Sequence, residues 1–253
     1  LLLDPALRWK AFYSRLSMPD FSQRSETVEI MDNLNCSGPM VDQTLAELEF
    51  INKWLGGNSV TLNGLNRILN SCSSDSLKIA DLGCGGGDML MLIRDTLKKN
   101  NVKATLTGID ANPNIVAYAK KNAAAYAEIN FKVLDVLSDE FRRESFDIVF
   151  ATLFFHHFTR QQLIELFRHL TNTTRCGVVI NDLHRHSLAY YSIKFLTRTF
   201  SKSSMVVNDA PLSVHRGFTR AELEEILNAA GISSYSLKWK WAFRWQLIIR
   251  TGK

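Results

Sequence analysis

Cysteine is scarce: Cys36, Cys72, Cys84 and Cys176 are the four in 253 residues, with no CxxC pair and no zinc spacing. That argues against a disulfide scaffold or a zinc-bound module, and it fits a reducing cytosol. Long apolar runs are also missing, since no stretch approaches the roughly 18 residues that a membrane span needs. The opening LLLDPALRWKAFYSRLS lacks the h-region and cleavage site of a secretory signal. Met18 begins MPDFSQRSE, so residues 1–17 read as an upstream extension and the expected location is cytoplasmic. Charge of one sign is not concentrated either. Lys and Arg number 30 against 25 Asp and Glu, a net of +5, but no basic cluster exceeds His184-Arg185-His186. Nucleic acid is therefore not an expected partner. Internal repeats and low-complexity segments are absent.

What is present is enough apolar sequence for a full core, at 46% of residues. Residues 20–72 read as helical and amphipathic: in TLAELEFINKWL, Leu45, Leu48, Ile51, Trp54 and Leu55 recur at helical spacing before Gly56-Gly57 stops the helix. After the polar linker NSCSSDS, strands alternate with helices. LKIADLG, ATLTGID, INFKVLD, FDIVFAT and CGVVIND are the strands, which predicts a parallel sheet covered on both faces. Thr219 caps a last helix that Gly231 closes, and SSYSLKWKWAFRWQLIIR ends the chain as a strand pair. The organisation expected is an N-terminal extension and helical cap (1–72), a ligand-binding core (73–182), an inserted lid (183–217) and a closing helix and strand pair (218–253).

The bend IADLGCGGGD carries Gly83, Gly85, Gly86 and Gly87 at the carboxyl end of the first strand, where open α/β sheets bind ligands. A dinucleotide fold wants G-x-G-x-x-G. Here the spacing is G-x-G-x-G, and Asp88 takes the place of the third glycine, a poor neighbour for a pyrophosphate. S-adenosylmethionine carries no phosphate and presents an ammonium and a sulfonium, so it tolerates acids. Asp81 is placed to meet the ammonium. Asp110, ending the second strand in GIDANPNI, is placed to accept from both ribose hydroxyls, and its alternative role is as a helix cap. Asp135, ending the third strand with Val136 behind it, is placed to meet the adenine amino group.

These stretches, together with FDIVFATLFFHHF, resemble the successive motifs of class I S-adenosylmethionine-dependent methyltransferases over residues 77–182. Within that superfamily the chain is most similar to small-molecule enzymes of the ubiquinone and menaquinone type. The flanks SQRSETVEIMD (22–32), NDLHRHSLAYY and LSVHRGFT also resemble methyltransferases found beside polyketide-synthase genes. The resemblance implies an α/β doubly wound seven-stranded sheet in the order 3-2-1-4-5-7-6 with the last strand antiparallel. It also implies S-adenosylmethionine as cofactor and S-adenosylhomocysteine as product. The residues expected around the cofactor are Asp81, Gly83, Cys84, Gly85, Gly87, Asp110, Ala111, Asn112, Asp135, Val136, Thr152 and Leu153.

The acceptor is read from the segment Thr152 to Phe158. It lacks the Asp/Asn-Pro-Pro-aromatic motif of adenine and cytosine amino methyltransferases and the Pro-Cys nucleophile of cytosine-C5 enzymes. Two imidazoles in an aromatic setting suit a flat, hydrophobic hydroxyl acceptor, with His156 or His157 as general base. Phe155, His184, Arg185 and Tyr190 are the expected acceptor contacts, and no metal site is expected. Residues 187–205 read as one helix, either core-packing or a lid over the acceptor, which would rest on a membrane surface if the acceptor is a lipid quinone. A methyltransferase of RNA or protein, or a non-catalytic cofactor-binding module, are the alternative readings.

Overall fold

The computed structural model describes residues 19–72 and 74–252; the reading of residues 1–17 as an extension lies outside the described residues. The elements in chain order are α1 (Pro39–Trp54), α2 (Gly57–Leu69), β1 (Leu77–Leu82), α3 (Asp88–Lys99), β2 (Ala104–Asp110), α4 (Pro113–Asn122), β3 (Ile129–Val133) and β4 (Phe146–Thr152). They continue with α5 (Arg160–Thr173), β5 (Thr174–Leu183), α6 (Ser187–Phe200), α7 (Ser204–Arg216), α8 (Arg220–Ala229), β6 (Tyr235–Lys240) and β7 (Arg244–Arg250). The sheet has the order β3-β2-β1-β4-β5-β7-β6. β1 to β5 run parallel, and β7 lies antiparallel to both β5 and β6.

The central strands are apolar on both faces because both faces are covered. Ile79, Phe150, Val179 and Ile248 pack on one side with Leu65 of α2 and Leu90 and Ile93 of α3. Leu82, Val149, Ile180 and Leu247 pack on the other with Leu163 and Phe167 of α5 and Leu227 of α8. Pro39 in the first turn starts α1, and Gly56, in the left-handed region at φ +73°, ends it and opens α2. Thr159 and Thr219 cap α5 and α8, each in a reciprocal box with the residue three positions on.

Three expectations need correction. Residues 20–38 are not helical apart from a single 3₁₀ turn at Ile30–Asp32. Their backbone is held from outside: Asp209 of α7 accepts from Ile30 N at 3.0 Å and Met31 N at 3.1 Å. The stretch 187–205 is two helices and not one. The Glu47 carboxylate of α1 accepts from Lys202 N at 3.0 Å and Ser203 N at 3.2 Å, and the Ser203 hydroxyl then caps α7. Finally, Cys72 and Cys176 form a disulfide with 5.6 Å between their Cα atoms, leaving Cys36 and Cys84 as free thiols. The two cysteines are 104 residues apart. No local spacing could announce the pair, which departs from the reading of four reduced thiols.

Candidate functional site

A cavity of about 1340 Å³ opens over the carboxyl ends of β1, β2 and β4. α1, α6 and α7 and the turn between β6 and β7 complete its walls. Among the described residues no helix is long and apolar enough to cross a membrane.

The glycine bend forms the floor at one end. Gly83 has φ +65°, and a Cβ there would come within 2.1 Å of the Phe154 ring. Gly85 has φ +50° and faces open space, with nothing nearer than Leu45 at 3.8 Å, so its backbone is exposed to the cavity. Cys84 lines the same wall, and burial pushes its thiol pKa up. Gly87 is a correction. It starts α3 at φ +80°, a Cβ would come within 2.8 Å of Phe131, and it does not line the cavity. Its role is to pack and to turn the chain.

Three carboxylates face this end, and among the described residues no lysine or arginine bonds to them. Asp81 is 2% exposed, its Oδ1 has no hydrogen-bond partner among the described residues, and burial with the neighbouring Asp88 and Asp110 pushes its pKa far up. Burial raises Asp88 to about 6. Burial also raises Asp110, against the opposing pull of the backbone N–H groups of Asn112 and Gly85, the His157 ring and the N–H of Ala111. Among the described residues none of the three forms an ion pair. Such a set calls for a positively charged ligand with hydrogen-bond donors. Asp110 is not the helix cap; that is Asn112, which accepts from Asn114 N at 2.8 Å and donates to the Cys36 carbonyl at 3.1 Å. Ala111, Asp135, Val136, Thr152 and Leu153 also line the cavity. Leu153 holds φ +53°, a strained value for its residue type, and its N–H donates to the Asn181 carbonyl at 2.8 Å.

At the other end the two histidines separate in role. His156 is buried, and its Nδ1 lies 2.7 Å from Asp182 Oδ1. Asp182 also accepts from Phe155 N at 2.8 Å, His156 N at 3.2 Å and Leu183 N at 2.7 Å. His157 is part-exposed, and its Nδ1 lies 2.6 Å from Asp32 Oδ1. Glu29 Oε1 is 3.7 Å from His156 Nε2, neither atom has a hydrogen-bond partner, and burial raises the Glu29 pKa to about 7. Arg216 bonds Asp32 and donates to the His157 carbonyl at 2.8 Å. Arg24 donates to the His156 carbonyl at 2.8 Å and the Phe158 carbonyl at 3.1 Å. Glu29, His156 and His157 offer ligand atoms within 4.8 Å of one another. The Arg216 guanidinium, 3.6 Å from Glu29 Oε1, opposes a dication there.

Glu29, Asp32 and Arg216 lie outside the residues expected for the site. Their signal was the pair of flanks SQRSETVEIMD and LSVHRGFT, which the fold brings together on the histidines. The four expected acceptor contacts do not line the cavity. Phe155 is 1% exposed in the core against Phe167. Arg185 is fully engaged by Glu222 at 2.7 and 2.9 Å and by the carbonyls of Gly217, Phe21 and Ser22. His184 accepts from Trp239 at 3.2 Å, and Tyr190 packs against Phe21. The cavity wall on α6 is instead Ala189, Ser192, Ile193 and Leu196, while Leu188, Tyr191, Phe195 and Phe200 of that helix are exposed. The spacing of α6 fits both uses, and only the fold tells which side faces inward.

Residues 79–177 match the family model described as a methyltransferase domain. The chain is 26% identical over 149 residues to the phosphoethanolamine N-methyltransferase of Plasmodium falciparum, covering 55% of this chain and 53% of that protein. It therefore spans about half the length of that curated relative. Among solved structures, the plantazolicin methyltransferase BpumL in complex with S-adenosylhomocysteine superposes with a TM-score of 0.60 at 18% identity, over 85% of this chain and 96% of that one. Human N-acetylserotonin methyltransferase in complex with S-adenosylmethionine gives 0.59 at 16% identity, over 84% of this chain and 56% of that one. At these identities the likeness is one of fold.

Proposed function

We propose that this chain, which carries a class I methyltransferase domain, transfers a methyl group from S-adenosylmethionine to a hydroxyl of a small, hydrophobic acceptor. The observation that carries this reading is the unpaired acidic trio Asp81, Asp88 and Asp110 beside an exposed glycine backbone. Asp81 would hold the amino group of the cofactor, Asp110 the ribose hydroxyls and Asp135 the adenine amino group. When bound, the cofactor supplies a methyl group on a positively charged sulfur that leaves neutral.

The chain's own part is to align, to exclude water and to take a proton. His157 faces the cavity, and the Asp32 carboxylate on its Nδ1 fixes the tautomer that leaves Nε2 as the basic nitrogen. Arg216 holds Asp32 in place from the other side. His156, with Asp182 and Glu29, forms the buried support on which His157 packs, at 4.2 Å between ring centroids. The apolar wall of α1 and α6, through Leu48, Ile51, Ile193 and Leu196, suits a flat acceptor and keeps the site dry.

Incubation with methyl-labelled S-adenosylmethionine and extract of the source cells tests the reading. Label is expected in a small molecule soluble in organic solvent. Label in RNA or protein would replace the acceptor class, and no transfer to any fraction would leave a binding module in place of an enzyme.

A further inference from the structure

Arg244, the first residue of β7, is 3% exposed and lines the cavity. Its Nη2 donates to Asn52 Oδ1 at 2.8 Å and its Nη1 reaches Asn181 Oδ1 at 3.5 Å, while its Nε is buried and among the described residues has no partner. Among the described residues no carboxylate forms an ion pair with it. The other buried guanidiniums differ. Arg185 is paired with Glu222, and Arg216 with Asp32. Burial lowers Arg244 to about 10, so it stays charged at neutral pH.

The surroundings are shaped around this cation, and the carboxylate whose charge acts on it, Asp182, is already engaged by His156 and three backbone N–H groups. Gly57, in the first turn of α2, lies against the guanidinium: a Cβ there would come within 2.7 Å of Arg244 Cζ. The start of α2 has no side-chain cap, so the positive end of a helix adds to the charge. A buried cation left in this state is costly unless an anion completes it.

We propose that Arg244 is the anchor for a carboxylate carried by the methyl acceptor, so that the substrate class is a hydrophobic, hydroxyl-bearing carboxylic acid. This rests on the reading of the cavity as an acceptor site. The anion is not the cofactor's own. The strand order places β4 and β5 between β1, which bears the glycine bend, and β7. At about 4.8 Å per strand spacing the two ends are roughly 14 Å apart across the sheet. A planar carboxylate matches the unpartnered Nε edge of a guanidinium. The intervening walls, Ile51, Leu55, Leu196 and Phe243 among them, suit an apolar body between the acid and the hydroxyl.

Benzoate is the probe, with benzamide as the uncharged isostere and sodium chloride at equal ionic strength as the blank. Melting temperature is followed against probe concentration for the wild type, Arg244→Met, Arg244→Lys and Gly57→Ala. Benzoate is expected to raise the wild-type melting temperature saturably at millimolar concentrations, with benzamide and chloride giving no comparable shift. Arg244→Met should need at least tenfold more benzoate, and Arg244→Lys should fall between. Gly57→Ala keeps the charge but displaces the guanidinium, so it should weaken the response severalfold even if Arg244→Met does not fold. Equal responses to benzoate and benzamide, no response to benzoate, or an undiminished response in Arg244→Met or Gly57→Ala would overturn the assignment. S-adenosylhomocysteine binding, measured on the same samples, reports separately on the methyltransferase reading.

Discussion

Asp182 Oδ1 sits 2.7 Å from His156 Nδ1, and both side chains are buried at the carboxyl end of β5. With the N–H groups of Phe155, His156 and Leu183 also donating to it, Asp182 sets the path of the chain that leaves β4. Burial pushes its pKa up, but His156 and the backbone donors outweigh that and hold it below the ordinary carboxylate range. Its contribution to stability is therefore present above about pH 4 and lost as pH falls through the lowered folded-state value. Asp182→Ala is expected to cost about 3–5 kcal/mol in urea unfolding at neutral pH. A loss within 1 kcal/mol, roughly that of an ordinary surface change, would remove Asp182 from this role.

The two histidines are expected to part company under mutation. His157→Ala should lower turnover by roughly 10² to 10⁴, with a near-normal melting temperature and unchanged S-adenosylhomocysteine affinity. His156→Ala, by contrast, should lower the melting temperature, because it strands Asp182. Equal turnover in His157→Ala and the wild type would exclude His157 as the base. The acceptor would then be already ionised or a carbon nucleophile.

Most of the fold was legible because its signals are local. Strands buried on both faces read as apolar runs, Thr219 announces its helix, and the glycine bend places the ligand edge. The acids at the ends of β1, β2 and β3 were legible for the same reason. What escaped depends on distant meetings. Glu29 and Asp32 reach the histidines from a segment without helical periodicity, which Asp209, Ser213 and Arg216 tie down from afar. Arg185 read as a cation free to hold an acidic group, but the fold closes it with Glu222; Arg244, on the cavity wall, carried no local signal that singled it out.

Glu29 gives a pH signature. Its folded-state pKa of about 7 lies above the ordinary 4.5, because burial disfavours the charged form. The unfolded chain therefore releases this proton first, and stability falls as pH rises from about 4.5 to about 7, then levels. Unfolding free energies across that range should show Glu29→Gln gaining on the wild type with rising pH, by an amount on the order of 2–4 kcal/mol. His156, His157, Arg216 and Asp32 face Glu29 in both proteins, so the two curves are read against the same neighbours. Parallel curves would mean that Glu29 is not held protonated.

The Cys72–Cys176 bond ties the segment after α2 to β5 across 104 residues. Non-reducing mass spectrometry is expected to find two alkylatable thiols, Cys36 and Cys84, once the chain is unfolded without reductant. Reduction should lower stability by about 2–5 kcal/mol. Four alkylated thiols without reductant would contradict the pairing.

The central claim is that the acidic end of the cavity binds S-adenosylmethionine. Titration calorimetry with S-adenosylhomocysteine tests it most directly, with NADH as the competing ligand and Asp110→Ala as the control. The wild type is expected to bind S-adenosylhomocysteine and not NADH. Asp110→Ala, which loses hydrogen bonds to a charged acceptor worth about 1.5–3 kcal/mol each, should bind at least about tenfold more weakly. Tight binding of NADH with no heat from S-adenosylhomocysteine, or an affinity that Asp110→Ala leaves untouched, would contradict the account.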